Sequence, residues 1–384
     1  MKRLPILLLL ASLWIALAAP MTSVADVVDD SASEDVLWPA TVAYVVDEQQ
    51  VDVLGELQTV QILELAISRG PRAGEIVTLE YGHTYGEEAS LYRAGDRVFV
   101  RQLQGADGTL GYELATRDRS FPLMLMAMLF VGLVLLAGGQ RGARSLVGLG
   151  LSFVVIFWYV VPGVGAGQAP VWTALLGCGL AMPVTYYLSH GLNRKTTIAL
   201  VGSLLGLGLT AVIAVGFVAG ARLTGFSGSE AGFIQNLYGG VIDLRGLLLA
   251  GMIIGVLGVM DDITVAQAAI VEQLHDANSK LDAWQLYRRA MRVGQDHIAS
   301  MVNTLMLVYA GAALPLLLLL TDQSLPLTYV LSQELISEEI VRMLVTSSGL
   351  VAAVPLTTLL AARWMAPRVA ANLPETAETT EALG

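Results

Sequence analysis

The stretch GMIIGVLGVMDD, Gly251 to Asp262, reads as a membrane-crossing helix with glycines along one face and two adjacent carboxylates at its end. At about 100° per residue, Gly251, Gly255, Gly258 and Asp262 fall within roughly one sixth of the helix circumference. The glycines make a smooth groove that another backbone can approach closely. That groove ends on a charge, and an ionisable group at the edge of a bilayer is costly enough to mark a functional site by default.

The rest of the chain has the same apolar character. Of its 384 residues, 55% are hydrophobic and 14% charged, and the mean hydropathy is +0.64. These values lie outside the soluble globular range and point to an α-helical polytopic membrane protein with the lipid bilayer as its first partner. The net charge of −11 comes mainly from acids between Asp26 and Glu113 and from the tail after Glu375. Such acids describe solvated segments, so no nucleic-acid partner is expected. The single cysteine, Cys178, lies in an apolar run, which excludes an intramolecular disulfide and a Cys-based metal cluster.

Met1, Lys2 and Arg3 precede an apolar run from Leu4 to Ala19, and Ser23, Val24 and Ala25 follow before Asp26. Residues 1–25 therefore read as a signal peptide, either cleaved after Ala25 or kept as an anchor. Residues 26–35 form an acidic leader. Between 36 and 117 come five short β-type runs, TVAYVV at Thr41, TVQILELAI at Thr59, EIVTLEY at Glu75, RVFVRQL at Arg97 and LGYELA at Leu110, separated by turn signals. A small exported all-β domain follows, with an OB-like barrel as one candidate closure.

Residues 118–366 carry seven apolar segments, near 122–138, 146–162, 170–188, 197–219, 240–260, 298–320 and 344–362, each about the length needed to cross roughly 30 Å of hydrocarbon. Arg141, Arg144, Arg194, Lys195, Lys280, Arg288, Arg289, Arg292, Arg363 and Arg368 fall on one side of this arrangement, against Arg222, Arg245 and Arg342 on the other. The bias puts the first set inside. It places the β domain outside a plasma or inner membrane, and the acidic tail, 367–384, in the cytoplasm.

The inner connection, about 263–294, shows two capping-box spacings, Thr264 to Gln267 and Asp282 to Gln285, with apolar residues at helical intervals. It reads as two amphipathic helices broken at Asn278 and Ser279. In the next span Asp296, Ser300 and Asn303 share a face, with Thr304 on its flank and His297 beside its start. Antiparallel packing of the two flanking spans would gather Asp261, Asp262, Asp296 and His297 at the inner mouth. Asp261, Asp262, Thr264, Asp296, His297, Ser300, Asn303 and Thr304 are thus the candidate substrate or ion pathway. The plainer alternative is capping by Asp262, Thr264 and Asp296, with ordinary interhelical bonds from Asn303 and Thr304.

Gly202 and Gly206 form a small-xxx-small pair and join Gly251, Gly255 and Gly258 as expected packing positions. Asp243 and Arg245 read as an interfacial anchor. His83, His190 and His275 are scattered and read as isolated. The glycine strings lack a phosphate-binding context, and neither a G-x-S-x-G elbow nor an H-E-x-x-H helix occurs. Neither catalysis nor a cofactor or metal is expected.

Three segments, DRSFPLMLMAMLF at Asp118, IDLRGLLLAGMIIGVLGVMDDITVAQAA at Ile242 and MRVGQDHIASMVNTLMLVYAGAALPLLLL at Met291, give the chain a resemblance to the YibE/F-like family of bacterial multipass membrane proteins. The resemblance implies an exported N-terminal domain followed by about seven spans, and it assigns no activity. From the residues, the leading expectation is a permease for a small solute or ion. The alternative is a scaffold whose β domain binds a partner and whose glycine faces contact a second copy or another membrane protein.

Overall fold

The computed structural model describes residues 37–53, 56–82, 91–104, 110–319 and 325–366. The expected signal peptide (1–25), acidic leader (26–35) and acidic tail (367–384) lie outside the described residues. The chain divides into one unit within Pro20–Ala137 and another running from Gly138 onward.

The five β-type runs form five strands: β1 Leu37–Val53, β2 Glu56–Ile67, β3 Ile76–Tyr81, β4 Arg97–Gln104 and β5 Leu110–Arg117. They make one sheet in the order β3-β2-β1-β4-β5, with every neighbouring pair antiparallel. Alternation sets the buried face, as in β3, where Val77 and Leu79 are buried while Ile76, Thr78 and Glu80 are exposed. Ala40, Val42, Leu63, Leu65, Leu79, Val98 and Val100 make its core. Gln61 is buried in β2. Its amide donates to the Tyr92 carbonyl at 3.3 Å and accepts from the Tyr92 amide at 2.8 Å, pinning the segment before β4. The sheet curls enough for the Tyr112 hydroxyl of β5 to meet Arg72 and to donate to Glu75 at 3.5 Å, both just ahead of β3. Among the described residues no strand ladder joins β3 to β5.

The helices are α1 Ser120–Val155, α2 Val161–Gly165, α3 Pro170–His190, α4 Arg194–Gly220, α5 Ser229–Leu237, α6 Leu244–Ala277, α7 Ala283–Ala312, α8 Leu314–Leu319, α9 Leu327–Ser332 and α10 Glu334–Met365. Among the described residues five helical stretches are long and apolar enough to cross a membrane: Ser120–Gly165, α3, α4, α6 and α10. That differs from the seven expected, for two local reasons. The first two expected segments lie in one helical stretch of 46 residues, interrupted at Gly139, whose φ of 54° and ψ of −132° are not helical and suit a residue without a Cβ. A π-helical turn, Ile156–Val160, links α1 to α2. The sixth expected segment is broken after Ala312, where Pro315 lacks an amide donor and disfavours a continued helix. Its first half also carries the polar Ser300, Asn303 and Thr304, and Asp296 and His297 stand just ahead of it.

α4, α6 and α10 pack as the centre of the helical unit, with α3 against α6 and α7 against α10. Lipid supplies no hydrophobic drive between spans, so close approach at small residues must hold them. Gly202 of α4 faces Thr357 of α10, leaving no room for a Cβ. A Cβ on Gly206 would lie 3.1 Å from Ala353 and from the Met260 sulfur, and one on Gly294 would lie 2.9 Å from Val354. The buried core includes Met182, Ile198, Leu207, Ile253, Val256, Met260 and Ala353.

Candidate functional site

α6 is unbroken through both carboxylates. Its 34 residues span about 51 Å at 1.5 Å per residue, well beyond a hydrocarbon core of roughly 30 Å. The expected helix start at Thr264 to Gln267 is therefore absent. Both residues are fully buried side chains inside α6, and the sequence around them offers no turn residue to stop the helix. The second spacing does start a helix: Asp282 accepts from the Gln285 amide at 2.8 Å, and the Gln285 side chain accepts from the Asp282 amide at 3.3 Å. Capping by Asp262 or Asp296 is likewise absent, because each lies inside a continuous helix.

The two adjacent carboxylates part company. Asp262 is exposed and Asp261 half-buried, as the 100° step between neighbours requires. Asp261 turns towards α3, where it sits beside the Tyr186 hydroxyl, with Asp262 and the His190 imidazole also close to it. Behind it lies a closed network of hydroxyls. Tyr186 meets Ser203 of α4 and lies 3.0 Å from the Thr264 hydroxyl, Ser203 and Thr264 are 2.7 Å apart, and Thr264 also donates to the Met260 carbonyl at 3.0 Å. All three hydroxyl residues are at most 1% exposed. The Asp261 Oδ1 atom is buried and has no hydrogen-bond partner. Three helices thus converge on one carboxylate with an unmet acceptor. The site's frame is tied at the same end by an ion pair between Lys195 of α4 and Glu272 of α6, 3.1 Å apart.

Asp296, His297, Ser300, Asn303 and Thr304 are all exposed. The inward face of α7 is the apolar one: Leu286, Ala290, Gly294 and Leu305 are buried, and the Gln267 amide donates to the Ala290 carbonyl at 3.2 Å. Helical phase then puts the polar stripe on the opposite side. Among the described residues no hydrogen bond or ion pair joins Asp296 or His297 to Asp261 or Asp262. The expected gathering of three carboxylates and that imidazole is not formed among the described residues. The imidazole near Asp261 is His190, one helical turn beyond Tyr186.

Gly251, Gly255 and Gly258 are exposed as well. Nothing lies within 4 Å of a Cβ built on Gly251 or Gly258, and only the Tyr309 hydroxyl, at 4.0 Å, approaches Gly255. The groove that ends on Asp262 is thus open, whereas Gly202 and Gly206 are packed.

Sequence alone does not single out Tyr186 or Ser203, and it leaves His190 as one of three scattered histidines that read as isolated. The four-residue spacing of Tyr186 and His190 near the end of α3 was visible, as was Ser203 between two packing glycines. Neither signal says which carboxylate they would face, since that depends on how α3, α4 and α6 pack.

The sequence matches the family model described as YibE/F-like protein over residues 126–367, more than half of the chain. Comparison with curated proteins and with solved structures gives no match. The apolar helices and the extent of that match together place the chain: it belongs to the YibE/F-like family and is a membrane protein.

Proposed function

We propose that the protein is a transport-related permease for a small solute or ion, with Asp261 as the carboxylate that engages the translocated charge. The observation that carries this reading is the buried, unpartnered Oδ1 of Asp261 beside a hydroxyl network that leads into the bundle. An acceptor left without a donor away from water costs about 1–3 kcal/mol, and more when charged. A cation or proton at that oxygen removes the cost, and intramembrane carboxylates characteristically mark ion pathways.

In this reading the bias of basic residues orients Asp261 and Asp262 towards the cytoplasm and the β unit away from it. Export of the β unit requires the N-terminal apolar run to act as its signal. The curled sheet, with edge strands that approach without pairing, supports a partly open, OB-like barrel. Seven crossings fit if Ser120–Gly165 crosses twice about Gly139 and α7 with α8 forms a further span. No catalytic step is assigned.

The test is flux in proteoliposomes holding the full-length protein, read with a pH-sensitive dye and with a sodium tracer. Asp261→Asn is expected to abolish the flux that the unsubstituted protein shows, and Asp262→Asn to leave it within a factor of two. Unchanged flux in Asp261→Asn overturns the assignment.

A second reading, a scaffold or assembly subunit, is favoured by a different observation. The open face of Gly251, Gly255 and Gly258 and the exposed stripe from Asp296 to Thr304 are left uncovered by the described residues, as helix-contact surfaces for another copy or a membrane partner would be. Crosslinking in native membranes separates the two. A stoichiometric partner together with a flux-silent purified protein would favour the scaffold.

A further inference from the structure

A second buried carboxyl group lies at the other end of the same bundle. α10 opens with Glu334, and Glu338 follows one turn later on the same face. Glu334 Oε1 accepts from the Thr224 amide, from the Thr224 hydroxyl at 2.6 Å and from the Gly225 amide at 3.2 Å. These donors sit on the segment after α4, which Gly225, at φ 78°, turns tightly against Leu244 at the start of α6.

Glu338 is only 6% exposed. Its Oε2 accepts from the Ser227 hydroxyl at 2.5 Å, and its Oε1 is buried without a partner. An ionised carboxylate offers about four acceptor sites, and the two on Oε1 are unused. Arg342, one turn further on, does not make up the difference: its Nη1 bonds Glu339 at 3.1 Å, and its Nε is itself buried and unpartnered. The charges acting on Glu338 are those of Glu334 and Arg342 on its own helix. On the neighbouring elements, Arg222, Glu230, Asp243 and Arg245 are exposed, and the segment after α4 contributes Ser227 and backbone. Glu338 therefore combines a like charge one turn away, a buried oxygen without a donor and a low-dielectric setting, where a lone negative charge is costly.

The two carboxyl sites are about a membrane apart. Met260 and Ala353 both face Gly206, so α6 and α10 are level there. Glu338 lies 15 residues before Ala353, or about 22 Å along α10, and Asp261 lies 17 residues beyond Leu244, or about 25 Å along α6. Either distance approaches the roughly 30 Å of hydrocarbon. Along the same central helices, Ser347 and Thr357 carry buried hydroxyls without partners. Thr357 faces Gly202, next to Ser203 of the network at Asp261.

We propose that Glu338 is held as the neutral carboxylic acid, sharing its proton with Glu334. This pair is a proton-binding station on the pathway whose other station is Asp261, so that the translocated ion is the proton. The inference rests on the permease reading for the pathway and on the buried pair alone for the bound proton. Each station offers one unmet carboxylate oxygen among hydroxyls, whereas a hard divalent cation asks for six or more oxygens. Among the described residues no group of three His, Cys, Asp or Glu side chains is placed to hold a metal ion.

The test is infrared spectroscopy of the full-length protein in lipid vesicles at neutral pH, in the carbonyl-stretch region of protonated carboxyl groups. The unsubstituted protein is expected to show such a band, and Glu338→Gln to lose the intensity of one group. Ser227→Ala, which keeps both carboxyls, is expected to shift the band by removing a donor, and it serves if Glu338→Gln does not fold. Dye-detected proton flux is expected to fall at least tenfold in Glu338→Gln. A spectrum identical in Glu338→Gln and Ser227→Ala to the unsubstituted protein overturns the second station, and it leaves the permease reading intact if Asp261→Asn still abolishes flux. The expected band changes with flux unaltered in both Asp261→Asn and Glu338→Gln overturn the pathway while leaving the shared proton in place.

Discussion

At the scale of single residues, the decisive contrast is between Asp261 and Asp262. They are chemically identical and adjacent, yet one adjoins the Tyr186 network and the other lies on the open glycine face. Tyr186→Phe is expected to destabilise the helical unit by about 1 kcal/mol, since Ser203 and Thr264 keep their mutual bond while Asp261 loses its hydroxyl neighbour. Denaturant titration in lipid or detergent checks it. The glycines divide in the same way. Gly202→Val should cost about 1–3 kcal/mol through overpacking against Thr357, whereas Gly258→Val, with open space around it, should stay within about 0.5 kcal/mol. The paired carboxylates were legible as a feature of one helix, because charge at the end of an apolar run is a local property. Which of them turns inward was not, because that phase is set by Tyr186 and Ser203, about 60 to 75 residues away in sequence.

At the scale of elements, α6 shows how far a local signal reaches. Thr264 and Gln267 have the spacing of a helix start, but their side chains are spent on interhelical bonds, to Tyr186 and Ser203 and to the Ala290 carbonyl. Asp282 and Gln285 have the same spacing and do start a helix, because the turn at Asn278 to Leu281 has already ended the one before. Asp282→Ala is accordingly expected to cost about 1 kcal/mol as a lost cap, while Thr264→Ser, keeping the hydroxyl, should leave thermal stability nearly unchanged. The phase of α7 is testable on its own. With Cys178 replaced by alanine, a cysteine at Asp296, exposed ahead of the apolar segment, should react readily with a maleimide, and one at Ala290, buried on the inward face of α7, should not. The polar stripe on α7 was legible from periodicity. Its outward direction was not, since which face of α7 turns inward depends on how it packs against α6 and α10.

For the molecule as a whole, division into a β unit and a helical unit was the most legible property, because period-2 runs and apolar runs differ over tens of residues. The number of crossings was less so: Gly139 and Pro315 alter how apolar length is divided into helices, and composition does not register a kink. The orientation assigned to the permease predicts that single cysteines at Tyr44, exposed in β1, and at Lys280, in the turn after α6, react with an impermeant maleimide from opposite faces of sealed vesicles. Labelling of both from one face would invert or refute that topology. The most direct test of the central claim remains dye-detected proton flux in proteoliposomes, comparing the unsubstituted protein with Asp261→Asn and Asp262→Asn. Flux lost in the first and retained in the second is the result predicted by an inward carboxylate at the end of a buried hydroxyl network. Equal flux in all three proteins would contradict it.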